Sequence, residues 1–252
     1  MIIIKSKREI ELMKEPCKVT AELLDDLAGF IRPGISTMDI SEFVEKRITG
    51  HGMTPTFKGY GGFPAAACVS VNEEVIHGIP NAARKLREGD IVSIDVGATK
   101  DGYVGDCAAT FIVGNGDEEA KRLIAVTRQS FFEGIKYARE GYRISDISHA
   151  IQEYVESNGF SVVREYVGHG VGAKMHEDPE VPNYGRPGHG PRLMRGMTIA
   201  VEPMVNMGGA AVRVLDDEWT VVTADGSLAA HYENTILITP GEPEILTVSE
   251  VI

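Results

Sequence analysis

Asp95, Asp106, His169, Glu202 and Glu233 stand far apart in the chain, each closing a short apolar run or sitting in a glycine-rich turn. Four carboxylates and one imidazole offer too few nitrogens for a structural zinc and too many oxygens for a single small ion. An oxygen-rich set of this kind suits a pair of hard or borderline divalent cations. A hydrolytic metalloenzyme is therefore the first expectation. An unpaired Asp95 at the end of the apolar run in VSIDVG would be costly unless a cation met it. His77 in VIHGIP and His176 in MHEDP add two imidazoles able to donate, while neutral, to a carbonyl or an oxyanion. His51, His149, His189 and His231 lack such a context and read as structural or solvated. Asp101 and Asp225 read as turn residues, and Asp117-Glu118-Glu119 as the negative first turn of a helix.

These groups need elements to position them. Ile91–Val96 reads as a buried strand, and Asp101-Gly102 as a type I′ turn. A two-residue turn there sets Asp95 opposite Ala108 and Asp106 opposite Gly97. The two acids then share one face as diagonal neighbours, roughly 7–8 Å apart. A three-residue turn would send them to opposite faces. Pro203 keeps Glu202 extended, so its carboxylate projects from a strand end. His169 lies in Gly168-His169-Gly170, where glycines let the backbone crowd a ligand. Upstream, Ser6 and Glu9 form a capping box ahead of Ile10, Met13, Cys17, Leu24, Leu27 and Ile31 at helical spacing. Pro16 falls inside that pattern and predicts a kink or break. Pro33-Gly34 ends the run, and Ile40, Val44 and Ile48 mark a second helix.

An offset of 107 residues relates the two halves of the chain. It carries Gly34 to Gly141, Asp39-Ile40-Ser41 to Asp146-Ile147-Ser148 and Val44 to Ile151. It also carries Leu86 to Leu193, Gly89 to Gly196, Ile94 to Val201 and Asp95 to Glu202. One register thus relates two helix starts and two strands, each strand ending in a carboxylate. The expected architecture is a duplicated α/β domain in which each half supplies an acid to a shared site.

The chain has 252 residues, 43% hydrophobic and 25% charged, with no Pro/Ser-rich linker, so a single domain over 1–252 is expected. A net charge of −12 argues against direct nucleic-acid binding. Cys17, Cys68 and Cys107 are odd in number and form no CxxC pair, which disfavours a disulfide framework and suits a reducing cytoplasm. Met1–Ile4 is too short an apolar run for a signal peptide or a membrane span.

The segments VNEEVIHGIP, SIDVGATKDGYVGD, VGHGVG, MHEDPEVPNYG, TIAVEPMV and HYENTILIT resemble, in order and spacing, the methionine aminopeptidases. The likeness runs over nearly the whole chain and is nearest to the short bacterial form of type I. It implies the pita-bread fold, an internally duplicated α/β (α+β) architecture with pseudo-twofold symmetry and a central antiparallel sheet. It implies that Asp95, Asp106, His169, Glu202 and Glu233 ligate two divalent metals (Co, Mn, Fe or Zn), with Asp106 and Glu233 bridging. Two-metal hydrolases, aminopeptidases among them, hold their ions about 3.5–4 Å apart around a bridging hydroxide. By the same resemblance Glu202 also shuttles the proton to the leaving amine, His77 contacts the scissile amide and His176 the carbonyl oxygen. Tyr60, Phe63, Cys68, His77, Met175, His176 and Trp219 would wall the methionine pocket. The implied substrates are peptides and nascent chains with N-terminal methionine and a small second residue. A cytoplasmic monomer, in possible contact with the ribosome and away from membranes, is implied with them. The chain departs from better-known members at Phe57 and Phe63, where Cys and Tyr are common, at Met175 for Phe and at Ile76 for Cys. Two rivals are a pita-bread module that binds peptides without cleaving them and a proline dipeptidase. The first typically loses metal ligands, and the second requires an additional N-terminal domain.

Overall fold

Ser6 caps the first helix from both directions. Its Oγ accepts the Glu9 N–H at 3.3 Å, and the Glu9 carboxylate accepts the Ser6 N–H at 2.7 Å. In the computed structural model, which describes residues 1–249, this helix (α1) runs Lys7–Phe30. Pro16 lies inside it, so of the kink or break expected there the break does not occur. Proline forfeits one intrahelical hydrogen bond, but α1 is held from outside. Met13, Cys17, Leu23, Leu24 and Leu27 are buried along its length. Gly105 presses so closely on it that a Cβ there would lie 2.3 Å from the Cys17 nitrogen and 2.4 Å from the Pro16 carbonyl carbon. Tertiary packing of one face outweighs the missing bond.

Three further helices follow: α2 (Thr37–Gly50), α3 (Glu118–Ile135) and α4 (Ile144–Ser157). Helices α2 and α4 are each 14 residues long and begin at the offset read from the sequence. Their surroundings repeat as well. The Gly34 N–H donates to Leu86 O at 2.8 Å, and the Gly141 N–H to Leu193 O at 3.2 Å. Asp39 accepts the Ser36 N–H, and Asp146 the Arg143 N–H. Isolated bridges pair Ser36 with Lys85 and Arg143 with Arg192. The duplication is thus visible at the level of single hydrogen bonds.

Among the described residues the main sheet has nine strands. Its path runs Thr54–Pro55, Ile91–Lys100, Tyr103–Ile112, Glu233–Leu237, Thr198–Val201, Gly168–Gly170 and Glu177–Val181. Ala67–Val71 joins beside Ile91–Lys100, and Glu244–Ile245 beside Glu233–Leu237. Neighbours in it pair antiparallel. Each half has its own core against this sheet. Leu24, Ile40, Val44 and Ile48 of α1 and α2 cluster with Val69, Val92 and Ile94. Leu123, Phe131, Ile147 and Ile151 of α3 and α4 cluster with Ile199, Val201 and Ile236. The architecture is the expected mixed α/β fold around a central antiparallel sheet. Among the described residues, no helix is long and apolar enough to cross a membrane.

Candidate metal centre

The hairpin register places the first two acids. Asp101 and Gly102 adopt φ of 49° and 80°, as a type I′ turn requires. Asp95 consequently pairs with Ala108 and Gly97 with Asp106. Ala108 pairs on its other side with Glu233, which brings the third acid into the same row across the seam between the halves. Glu202 follows Val201, the last residue of its strand, and Val201 pairs with Asn234. His169 stands on the Gly168–Gly170 strand rather than in a turn. Its flanking glycines serve strand packing rather than ligand approach. A Cβ at Gly168 would meet Ala200 O at 2.4 Å, and one at Gly170 would meet Asp178 O at 2.2 Å.

All five residues converge. His169 Nε2 lies 3.6 Å from Asp106 Oδ2 and 3.5 Å from Glu202 Oε1. One ligand atom each from Asp106, His169 and Glu233 falls within 4.8 Å of the others. His169 Nδ1 sits 2.9 Å from Gly170 O. A carbonyl only accepts, so Nδ1 carries the proton and Nε2 presents its lone pair to the acids.

The electrostatics demand a cation. Asp106 and Glu233 are nearly inaccessible, at 1% and 2% exposure. Asp95 Oδ1, both Asp106 oxygens and Glu233 Oε1 are buried without a hydrogen-bond partner. Among the described residues no Lys or Arg lies within 4.0 Å of the four acids; only imidazoles do. Burial, reinforced by the neighbouring carboxylates, holds Asp95, Asp106 and Glu233 well above the usual carboxylate range. Burial pushes Glu202 up to about 8. The imidazoles move the other way. Burial, helped by His176, lowers His169 to about 4, and burial, helped by His231 and His176, lowers His77 to about 4. Neutral imidazoles and orphaned carboxylate oxygens form a donor set that divalent cations fit, since ions would satisfy both.

A cavity of about 180 Å³ opens on this cluster. The five residues line it, and so do Tyr60, Phe63, Cys68, His77, Met175, His176 and Trp219. Phe63 meets Trp219 edge-on at 5.1 Å between ring centres, and Trp219 in turn meets His77 at 6.3 Å. Phe57 and Ile76, two of the departing positions, also line it and remain apolar. His77 adopts φ of 58°, unusual for a residue with a side chain and a recurrent sign of a functional constraint. His176 Nδ1 lies 2.7 Å from the Tyr60 hydroxyl, which leaves its Nε2 free.

Two groups were not foreseen, Tyr166 on the cavity wall and His231 behind the acids. Tyr166 packs edge-on against His77 at 5.8 Å, and nothing in its local sequence marks it. His231 was expected to be structural or solvated. It is instead 2% exposed, with Nε2 3.5 Å from Glu202 Oε2. One ligand atom each from Glu202, His231 and Glu233 falls within 4.8 Å of the others, so the nearness of His231 in sequence to Glu233 was the available signal.

A duplicated α/β frame carrying an acid-rich centre beside an apolar cavity defines a metal-dependent peptidase, and the chain belongs to metallopeptidase family M24, which it matches over residues 11–240. Its relatives narrow the class. The chain is 57% identical over 250 residues to a methionine aminopeptidase of Clostridium acetobutylicum, covering 99% of this chain and 100% of that one. It is 52% identical to methionine aminopeptidase 1 of Bacillus subtilis, covering 98% and 99%. A crystal structure of methionine aminopeptidase from Thermotoga maritima superposes with a TM-score of 0.96 at 52% identity, covering 98% and 99%. A prolidase from Pyrococcus furiosus, at 22% identity and TM-score 0.79, shares the fold alone.

Proposed function

We propose that the chain removes the N-terminal methionine from peptides and proteins by metal-dependent hydrolysis. The observation that carries this reading is the junction of buried, unpartnered carboxylate oxygens with a mostly apolar cavity. An unbranched, polarisable thioether packs well against the edges of Phe63 and Trp219. Asp95, Asp106, His169, Glu202 and Glu233 would hold the divalent ions. When bound, two such ions supply Lewis acidity to the scissile carbonyl and lower the pKa of the attacking water.

The chain's own groups do the rest. Glu202, with its affinity for protons raised by burial, takes a proton from water and passes it to the leaving amine. With the Tyr60 hydroxyl as donor to Nδ1, 2.7 Å away, His176 would keep its proton on Nε2 and donate it to the carbonyl oxygen as charge builds. His77, held neutral by burial and fixed against Trp219 and Tyr166, contacts the scissile amide. Trp219 and Tyr60 line the cavity, and preference for a small second residue is part of the proposal. The proposal includes one domain over 1–252, a cytoplasmic monomer and nascent chains met at the ribosome as substrates. A family match over most of the chain and a sheet shared by both halves support the single domain.

Release of methionine from Met-Ala-Ser and Met-Leu-Ser by metal-stripped protein, with and without Co²⁺ or Mn²⁺, tests the reading. Metal-dependent cleavage of the alanine peptide alone is expected. Metal binding without cleavage of either would favour the peptide-binding module. His77→Ala is expected to lower kcat while two equivalents of metal still bind. A fall in metal content with it would make His77 a ligand and change its assigned part.

A further inference from the structure

Glu202 is bracketed by two imidazoles. Its Oε1 faces His169 Nε2 at 3.5 Å, and its Oε2 faces His231 Nε2 at 3.5 Å. The His169 side is accounted for by the ligand set proposed above. His231 is buried, and its Nε2 has no hydrogen-bond partner.

His231 is also rigidly mounted. It ends the Ala229–His231 strand and pairs with Met204. The Thr110 hydroxyl accepts the His231 N–H at 2.9 Å and donates to His231 O at 2.8 Å. With its own proton thus committed, that hydroxyl accepts from Ser93 Oγ at 2.8 Å. Ser93 lies two residues before Asp95 on the same strand. The backbone that carries His231 is therefore tied directly to the strand that carries an acid of the site.

The two histidines differ in what surrounds their ring nitrogens. His169 gives its Nδ1 proton to Gly170 O, so its Nε2 is a lone pair. His231 Nε2 faces the Glu202 carboxylate, with Glu233 close by. Ionised carboxylates only accept, so the satisfied tautomer carries the proton on Nε2. Opposite tautomers give opposite roles, a ligand on one side and a donor on the other. Outer hydrogen bonds of this kind orient metal-binding groups.

We propose that His231 is a positioning residue of the metal centre, donating Nε2–H to Glu202 Oε2 and so reserving Oε1, beside His169, for metal. This rests on Glu202 and His169 being ligands. Glu202 is thereby held to one oxygen for metal and one orientation for proton transfer.

Nitrogen-15 spectra of the histidine rings in the wild-type chain, metal-free and loaded with Zn²⁺, separate the two claims. With Zn²⁺ bound and Glu202 ionised, His231 is expected to carry its proton on Nε2, while His169 Nε2 is unprotonated and shifts on loading. An unprotonated His231 Nε2 in the loaded state would make it a ligand and overturn the proposal. An unmoved His169 would instead overturn the ligand set. In calorimetric titration with Mn²⁺, His231→Leu is expected to bind about 10–100-fold more weakly and to lose kcat more than KM. His231→Gln, which retains a donor amide, is expected to recover most of both. Wild-type affinity and kcat in His231→Leu would remove any positioning role, and the spectra decide the question if that variant does not fold.

Discussion

Glu202→Gln is expected to lower kcat by at least about 100-fold, the low end for loss of a general acid–base, while the protein stays folded. Glutamine keeps the shape of the side chain and an oxygen that can face metal, but it cannot cycle a proton. The site has few substitutes for that task. In the proposed mechanism Asp95, Asp106 and Glu233 would be taken up by metal, and the neutral imidazoles of His77 and His169 are poor bases, with values near 4. Folding should be unharmed, because the substitution removes a carboxylate whose ionisation burial already opposes. Peptide turnover measured beside metal content separates proton transfer from ligation. Turnover near wild type would exclude Glu202 from the mechanism. A parallel loss of metal would assign it to ligation alone.

Stripping the divalent ions is expected to abolish turnover and to make stability fall as pH rises. The sign follows from the direction of the shifts. Asp95, Asp106, Glu202 and Glu233 all bind protons more tightly in the folded chain than in the unfolded one. For Glu202, between its ordinary value of 4.5 and about 8, the folded state holds a proton that the unfolded state has released. Stability then decreases with pH across that window. Metal takes the place of those protons, so its binding releases them and strengthens as pH rises. Melting temperatures with and without Mn²⁺ should therefore diverge from pH 5.5 to pH 8. A separation independent of pH would mean that the acids are ionised without metal, and the account of the centre would fail.

Much of this site was legible in the sequence because strand geometry is unforgiving. Once Asp101-Gly102 is a two-residue turn, the partners of Asp95 and Asp106 are fixed, and the observed register agrees. The 107-residue offset likewise predicted the start of α4 from that of α2. What escaped was decided by tertiary contact. Pro16 breaks no helix because Gly105 and the sheet hold α1 in place. The glycines beside His169 answer to neighbouring strands, which a linear pattern does not display. Tyr166 reaches His77 from an extended segment without periodic signal. His231 was passed over because only the fold brings its ring beside Glu202 and Glu233.

The seam between the halves has a consequence for how the site comes into being. Asp106 belongs to one half and Glu233 to the other, and the Thr235 hydroxyl donates to Asp106 O across 129 positions of chain. Closing so long a loop is slow and entropically unfavourable until non-local contacts repay it. The donor set is therefore incomplete until this long-range pairing has formed. Cations arriving before that moment find a few scattered acids and no centre. Catalytic competence in this molecule is consequently a report that both halves of the sheet have met.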